Sequence, residues 1–141
     1  LNIMGSSLIY WAQELYKNNL IVNGSQIFSM TSAGGRKQWK SYGAVSMAKA
    51  ALESASRQLA IELAPDGIGV NAIQAGVTDT PALRKIPGHN EMIEFANKHN
   101  PSGRLTTPED IAEYICLLSQ SNHSWMTGNI IRIDGGEDII G

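Results

Sequence analysis

Apolar residues recur along this chain at helical and strand-like spacings in turn. The first pattern is a helical stripe, which predicts a helix over residues 3–18. Its members are Leu8, Trp11, Ala12 and Leu15. Asn-rich loop signals follow this helix, and the apolar run from Gln26 to Met30 then predicts a short buried strand. The chain therefore opens with a helix and a strand.

The longest helical pattern covers residues 42–64 and ends at Pro65-Asp66-Gly67, a sequence typical of a helix C-terminus. One side of this predicted helix is rich in small residues. It consists of Ala44, Ala48, Ala51, Leu52, Ala55, Leu59 and Leu63. Because alanine side chains are short, we expect another helix to approach this side closely.

A second strand is predicted from Ile68 to Gln74, where nearly every residue is apolar. That pattern is typical of a parallel strand buried on both faces. After it the patterns predict a loop over residues 75–88, a short amphipathic helix over 90–99, a helix capped by Thr107, and a third strand from Asn129 to Asp134. This alternation indicates an α/β fold with a parallel sheet.

The composition narrows the possible partners. The 141 residues suffice for one domain with a core, and the net charge of −2 favours neither nucleic acid nor an anionic membrane as a partner. No apolar run is long enough to span a bilayer, and no signal peptide is visible, so we expect a cytoplasmic protein. The single cysteine, Cys116, lies on the apolar face of a predicted helix and is expected in the core. The histidines lack metal-ligand spacing, so no metal site is predicted.

Tyr42 and Lys49 form the arrangement with the clearest chemical meaning. They lie seven residues apart at the start of the longest predicted helix, and a turn of about 100° per residue brings the second nearly back to the face of the first. The helical rise separates their Cα atoms by roughly 10 Å. This distance suits a phenol and an ammonium that converge on a ligand between them. Ser32 follows the first predicted strand, ten residues before Tyr42.

Ser32, Tyr42 and Lys49, with two later segments, resemble the short-chain dehydrogenase/reductase family. The segments are the run from Asn71 to Thr80 and the sequence Ile133-Asp-Gly-Gly136. Most members of that family place the tyrosine four residues before the lysine, where this chain has Val45, which cannot donate a proton. The spacing of seven residues between Tyr42 and Lys49 resembles that of the enoyl-acyl carrier protein reductase branch. Ala75 and the run from Asn100 to Asp110 resemble that branch as well.

The resemblance implies a Rossmann-like doubly wound parallel sheet and an oxidoreductase that reduces the trans-2 double bond of enoyl thioesters with NADH or NADPH. Acyl carrier protein or coenzyme A would carry the substrate. By the same resemblance, Tyr42 would bond the enolate and contact the cofactor, and Lys49 would bond the nicotinamide ribose. Ser32 would bond the substrate carbonyl or the cofactor, and Asn2 matches an asparagine that holds a water in a proton relay. The predicted catalytic residues are therefore Tyr42, Lys49 and Ser32.

The loop after the second predicted strand is the expected remainder of the cofactor site, because loops at the carboxyl ends of strands line the cofactor crevice of open α/β sheets. The resemblance implies that Gly76, Thr78 and Thr80 bind the cofactor. The backbone of Thr78 would meet the nicotinamide carboxamide, and the hydroxyl of Thr80 the carboxamide or a phosphate. Residues 81–100 would form a substrate lid.

The resemblance also implies a longer protein. This chain has no Gly-rich turn before a helix that would hold a cofactor diphosphate. Residues 1–141 are therefore expected to be the C-terminal portion of a single Rossmann-like reductase domain. The strand at 26–30 would then lack a neighbour along one edge, and we expect this portion not to fold stably alone.

Two alternatives stay open. The first is a short-chain dehydrogenase/reductase that acts on a carbonyl, similar to a 3-oxoacyl reductase, and Val45 argues against it. The second is a non-catalytic Rossmann-like subunit, which the missing Gly-rich turn supports. In every case we expect the helices at 4–18 and 42–64 to pack against other copies of the chain in a homotetramer.

Overall fold

A computed structural model describes residues 1–140, in which the helices and strands follow the predicted order. They are α1 (Ser7–Lys17), β1 (Gln26–Ser32), α2 (Gly43–Leu63), β2 (Gly69–Ala75), α3 (His89–His99), α4 (Pro108–Ser119) and β3 (Ile130–Ile133). A π-helical turn at Asn2–Ser6 precedes α1, so regular α-helix begins later than the predicted residue 3. Short 3₁₀ turns at Ala33–Gly35 and Glu137–Ile139 flank the sheet.

The three strands form one parallel sheet in the order β1-β2-β3. The register pairs Ser32 with Ala75, and Ala75 with Ile133. The carboxyl ends of all three strands therefore lie side by side along one edge of the sheet. Every residue of β2 from Gly69 to Gln74 is buried, which confirms the prediction of a strand covered on both faces.

The helices cover the sheet through a continuous apolar cluster. Its buried members are Ala12, Leu59, Ala60, Leu63, Ile68 and Val70. At the other end of α2 the π-helical turn lies close to the alanine-rich side, because a Cβ added at Gly5 would stand 3.1 Å from the carbonyl oxygen of Ala48. The small side chains of α2 thus admit a neighbouring helical turn, as expected from the sequence.

Buried polar groups join β2 to the segment that leads into β3. The side chain of Asn71 is fully buried. Its amide nitrogen donates to the carbonyl of Met126 at 2.7 Å, and its amide oxygen accepts from the backbone N–H of Asn129 at 3.1 Å. A buried amide needs such partners, so these bonds fix where β3 begins.

One predicted burial position is wrong. Cys116 is exposed. The inner face of α4 holds the buried Ile111 and the partly buried Ile115, and Cys116 points about 100° away from Ile115. Ala44, on the side of α2 where another helix was expected to approach, is exposed in the single chain. It lies in the first turn of α2, whereas burial begins at Ser46.

No helix within residues 1–140 combines the length and the apolar character that a membrane crossing requires. Over the same residues, no group of three or more His, Cys, Asp or Glu side chains is gathered in a way that would hold a metal ion.

Candidate active site

Three consecutive residues at the end of β1 each bind a different side chain from the N-terminal half of α2 or its cap. The contacts are Met30 O with Lys49 Nζ at 2.7 Å, Thr31 Oγ1 with Glu53 Oε1 at 2.7 Å, and Ser32 Oγ with Tyr42 Oη at 3.3 Å. The structure thus brings together the three predicted catalytic residues at one strand end, and it adds Glu53, which was not predicted.

Tyr42 is the N-cap residue of α2, and its side chain is buried, with 9% of the residue exposed. Its backbone N–H donates to the carbonyl of Trp39, and its carbonyl accepts from Ser46. These bonds hold the backbone on both sides of Tyr42, while the bond to Ser32 holds the hydroxyl. The phenol is therefore fixed at the end of β1.

Gly34 is a site residue that the sequence analysis missed. A Cβ added at Gly34 would lie 2.2 Å from Cε1 and 2.9 Å from Cδ1 of Tyr42, and 3.3 Å from Oγ of Ser32. Real Cβ atoms do not approach side chains so closely, so only glycine admits the ring in this position. The Gly34-Gly35 pair after a strand was the available signal, but a turn explains such a pair equally well.

Lys49 lies one turn of helix before Glu53 on α2 and is half-buried. Burial lowers the pKa of Lys49 below its ordinary value, and the negative charge of Glu53 opposes that shift. Among the residues that the structure describes, no hydrogen bond joins Lys49 to Tyr42. The two side chains bind different residues of β1, and the common ligand between them stays a prediction.

The loop after β2 places the other predicted cofactor residues beside Ser32, because Gly76 directly follows the strand partner of Ser32. The hydroxyl of Thr78 donates to the carbonyl of Gly76 at 3.0 Å, and the hydroxyl of Thr80 accepts from the N–H of Leu83 at 3.2 Å. A Cβ added at Gly76 would lie 2.4 Å from Oγ1 of Thr106. Close packing thus requires glycine at residue 76.

The C-terminal 3₁₀ turn anchors both loops of this edge. Glu137 accepts from the backbone N–H of Val77 at 3.0 Å and so holds the loop after β2. Asp138 lies 2.8 Å from Arg36 and 2.8 Å from Lys37, and so holds the loop after β1. Burial raises the pKa of Glu137, an effect that the bond from Val77 only partly offsets.

Asp138 is expected to stabilise the fold at neutral pH. Burial disfavours its charged form, but hydrogen bonds from Lys37 and Gln74 and the positive charges of Lys37 and Arg36 outweigh this, so the pKa of Asp138 lies below the ordinary 3.8. Asp138→Asn should lower the free energy of unfolding of the complete protein by about 1–2 kcal/mol. Because the folded-state pKa is the lower one, this difference should be present above pH 3.8 and shrink as the pH falls through the folded value.

Urea unfolding at neutral and acidic pH would measure this difference. Asp79→Asn is the matched control, since the ion pair of Asp79 with Arg84 is exposed on both sides and should contribute little. Equal unfolding midpoints for the Asp138 and Asp79 variants would contradict the anchoring role.

The predicted lid helix contacts the loop that leads to Tyr42. The ring of Phe95, on α3, meets Trp39 edge to face with centroids 5.9 Å apart, and it stacks on His99 at 4.0 Å. Phe95 is still 52% exposed. Asn2, by contrast, lies exposed in the π-helical turn. Within residues 1–140, its side chain makes no hydrogen bond to Ser32, Tyr42 or Lys49.

A cavity of about 470 Å³ lies elsewhere, between α4 and β3. Arg104, Tyr114 and Arg132 are among the residues that line it, and none of the candidate catalytic residues does. Its size alone therefore gives no reason to place the chemistry there, and the hydroxyl pair at the end of β1 is the better candidate.

A serine and a tyrosine hydroxyl in contact beside a lysine, at the carboxyl edge of a parallel sheet, define a site of the short-chain dehydrogenase/reductase type. The chain belongs to the enoyl-(acyl carrier protein) reductase family, whose family model matches residues 1–137. This assignment confirms the branch that the spacing of Tyr42 and Lys49 indicated.

Individual relatives agree with this assignment. An NADH-dependent enoyl-[acyl-carrier-protein] reductase of Synechocystis is 36% identical over 122 residues, which are 86% of this chain and 47% of that protein. The crystal structure of the corresponding Aquifex aeolicus enzyme matches with a TM-score of 0.88 at 34% identity, covering 99% of this chain and 54% of the other. The Bacillus cereus enzyme, solved with NADP⁺ and an indole naphthyridinone, matches with a TM-score of 0.90 at 32% identity and the same coverage. These matches confirm the Rossmann-like α/β fold.

One relative carries a different activity in its name. A cis-4-hydroxycyclohexanecarboxylate dehydrogenase of Sinomonas cyclohexanicum is 37% identical over 116 residues, which are 82% of this chain and 43% of that protein. The chain spans about half the length of the curated relatives it matches.

Proposed function

We propose that the complete protein that contains this chain reduces the trans-2 double bond of enoyl thioesters with NADH or NADPH. Membership of the enoyl-(acyl carrier protein) reductase family supports this activity. Because the relatives are about twice as long as the stretch they share with this chain, we further propose that residues 1–141 are the C-terminal portion of a single Rossmann-like reductase domain.

The contact between the hydroxyls of Ser32 and Tyr42, at 3.3 Å, is the observation that carries this proposal. Either hydroxyl can be the donor. When Ser32 donates, Tyr42 keeps its own proton for a ligand. The chemistry that a nicotinamide cofactor would supply here is hydride transfer to the β-carbon of the substrate, which would leave negative charge on the thioester oxygen. A fixed phenol that donates to that oxygen stabilises the charge where it forms.

Lys49 and the loop after β2 fit the nicotinamide end of the cofactor. A lysine ammonium has three donors, and the bond to Met30 uses one of them, so two stay available for ribose hydroxyls. The backbone N–H of Thr78 donates to no group among residues 1–140, which suits a carboxamide oxygen. Gly76 and the hydroxyl of Thr80 complete the proposed cofactor contacts.

The proposed substrate is an acyl chain on acyl carrier protein or coenzyme A, with residues 81–100 as its lid. The exposed ring of Phe95, next to Trp39, supports an apolar ligand under α3. We also propose a homotetramer in the cytoplasm. In support of the assembly, both α1 and α2 expose large apolar side chains, which are Tyr10, Trp11, Met47 and Ile61.

Reduction of a carbonyl is the second candidate function. The Ser32–Tyr42 pair offers two hydroxyls to a carbonyl oxygen as readily as to an enolate, and the Sinomonas relative is named as a dehydrogenase of a hydroxylated ring. Val45 occupies the position four residues before Lys49 and offers no proton, which favours the enoyl substrate.

An assay that follows the loss of nicotinamide absorbance, run with two different thioesters, decides between these functions. The complete protein is supplied with NADH or NADPH and with either crotonyl or acetoacetyl thioester. We expect turnover of the crotonyl substrate, at a kcat/KM well above that for acetoacetyl. The reverse preference would establish the carbonyl reductase instead. A folded protein that binds neither cofactor would support the non-catalytic subunit.

A further inference from the structure

Glu53 is a buried carboxylate in the middle of α2 that the proposed chemistry does not use. The residue is 4% exposed, as is Thr31, which donates to its Oε1 at 2.7 Å. A Cβ added at Gly35 would lie 2.5 Å from the same oxygen. The carboxylate is therefore enclosed between α2, the end of β1 and the turn that follows β1.

Burial of a carboxylate is costly unless a positive charge or several donors compensate for it. No ion pair within 4.0 Å reaches Glu53 among the residues described. Thr31 supplies a single neutral donor. The remaining compensation must come from a cation at longer range.

Lys49 is the cation in the right place. It precedes Glu53 by four residues, the spacing at which helical side chains lie next to each other. The elements packed on this part of α2 carry no competing charge, since Asn2–Ser6, β1, Ala33–Gly35 and β2 contain no Asp, Glu, Lys, Arg or His. Arg57, one turn beyond Glu53, is exposed, and Arg36 and Lys37 are paired with Asp138.

We propose that Glu53 is a positioning residue for Lys49, and that its buried negative charge keeps the half-buried ammonium protonated at the end of β1. The supporting geometry is that neighbouring residues of the same strand hold both groups. Met30 fixes the ammonium and Thr31 fixes the carboxylate, so their separation is set by β1 rather than by flexible side chains. The direction of the Lys49 pKa shift agrees, because burial lowers it and Glu53 raises it.

This inference rests on the proposed function only for what Lys49 binds. Its test therefore begins with the titration of Lys49 itself in the complete protein. Competitive acetylation at a series of pH values, with mass spectrometry of the peptide that contains Lys49, measures this titration. Glu53→Gln keeps the shape and an oxygen for Thr31 but removes the charge. We expect the titration midpoint of Lys49 to move to lower pH. Glu62→Gln, on an exposed part of α2, should leave the midpoint at the wild-type value.

The second readout is the dissociation constant of NADH or NADPH across the alkaline range. In the Glu53→Gln variant, cofactor affinity should begin to weaken at a lower pH than in wild type, in step with the shifted Lys49 midpoint. A purely structural role for Glu53 would lower affinity at every pH equally. If no variant binds a cofactor, the proposed function fails, but the acetylation midpoints still decide the role of Glu53.

An unchanged Lys49 midpoint in Glu53→Gln would overturn the proposal. If that variant is insoluble, Glu53→Asp takes its place. It keeps a carboxylate but shortens the side chain by one methylene, which draws the charge back towards α2 and away from the end of β1, where Met30 holds Lys49. Its Lys49 midpoint should then lie below that of wild type, and a midpoint equal to wild type would again contradict the proposal.

Discussion

Replacing Tyr42 by Phe should lower kcat of the complete protein with crotonyl thioester by about 10²–10³-fold, the usual cost of removing one donor to a developing oxyanion. The reason is geometric. The ring of Tyr42 is buried, and its hydroxyl lies 3.3 Å from Ser32 at the edge where the proposed cofactor loop also lies. Phenylalanine keeps the ring and its packing, and it removes only the hydroxyl. Steady-state kinetics with saturating cofactor would measure the loss.

Tyr114→Phe is the matched control. Tyr114 lies on α4, is half exposed and lines the cavity between α4 and β3 rather than the candidate site. Its variant should retain the wild-type kcat. Lys49 and the loop after β2 supply most of the proposed cofactor contacts and Tyr42 only one of them, so the Tyr42 variant should lose much less affinity for NADH or NADPH than it loses in kcat. A Tyr42→Phe protein with undiminished kcat would show that the phenol donates no proton or hydrogen bond in the reaction.

The sequence predicted those parts of the fold that local patterns determine. The strand β2 was predicted because a strand covered on both faces must be apolar along its length. The helix α4 was predicted because Thr107 is a typical cap and Pro108 suits the first helical position, and the structure adds a reciprocal bond between Thr107 and Asp110. The π-helical turn at Asn2–Ser6 was not predicted. Its path depends on the approach of Gly5 to Ala48, which is a contact between elements distant in the sequence.

The candidate site shows the same division. Helical spacing was enough to predict that Tyr42 and Lys49 lie on one side of the helix, because the period of a helix is fixed, and both side chains reach the end of β1. The sequence did not reveal Glu53, since a carboxylate in a helix is normally solvated. The prediction of which side of α2 is buried also left out the polar residues of its buried face. These buried polar residues are Ser46, Glu53 and Ser56. Ser56 bonds to Ser29 of β1, and Glu53 accepts from Thr31 of the same strand. Such bonds between elements compensate for burial but leave no mark in a hydrophobic pattern.

Replacing Gly34 by Ala should also abolish most of the activity, although the methyl group adds no charge and removes no hydrogen bond. The new Cβ would lie 2.2 Å from Cε1 of Tyr42, so the ring must move. The ring is buried and its backbone is held by Trp39 and Ser46, so the movement changes where the hydroxyl points. A displacement of about 1 Å in a catalytic group costs roughly 10²-fold in rate. We expect kcat to fall by about that factor.

Gly43→Ala is the matched control for Gly34→Ala. Gly43 directly follows Tyr42, and a Cβ added there meets no atom within 4 Å. That variant should keep the wild-type kcat and gain about 0.4–1 kcal/mol of stability from the less flexible unfolded chain. Cofactor affinity should be nearly unchanged in both variants, since neither methyl group touches Lys49. A Gly34→Ala protein with wild-type kcat would mean that the position of the Tyr42 hydroxyl does not limit the reaction. Loss of kcat in the Gly34 variant alone would instead show that the turn after β1 sets the position of the phenol.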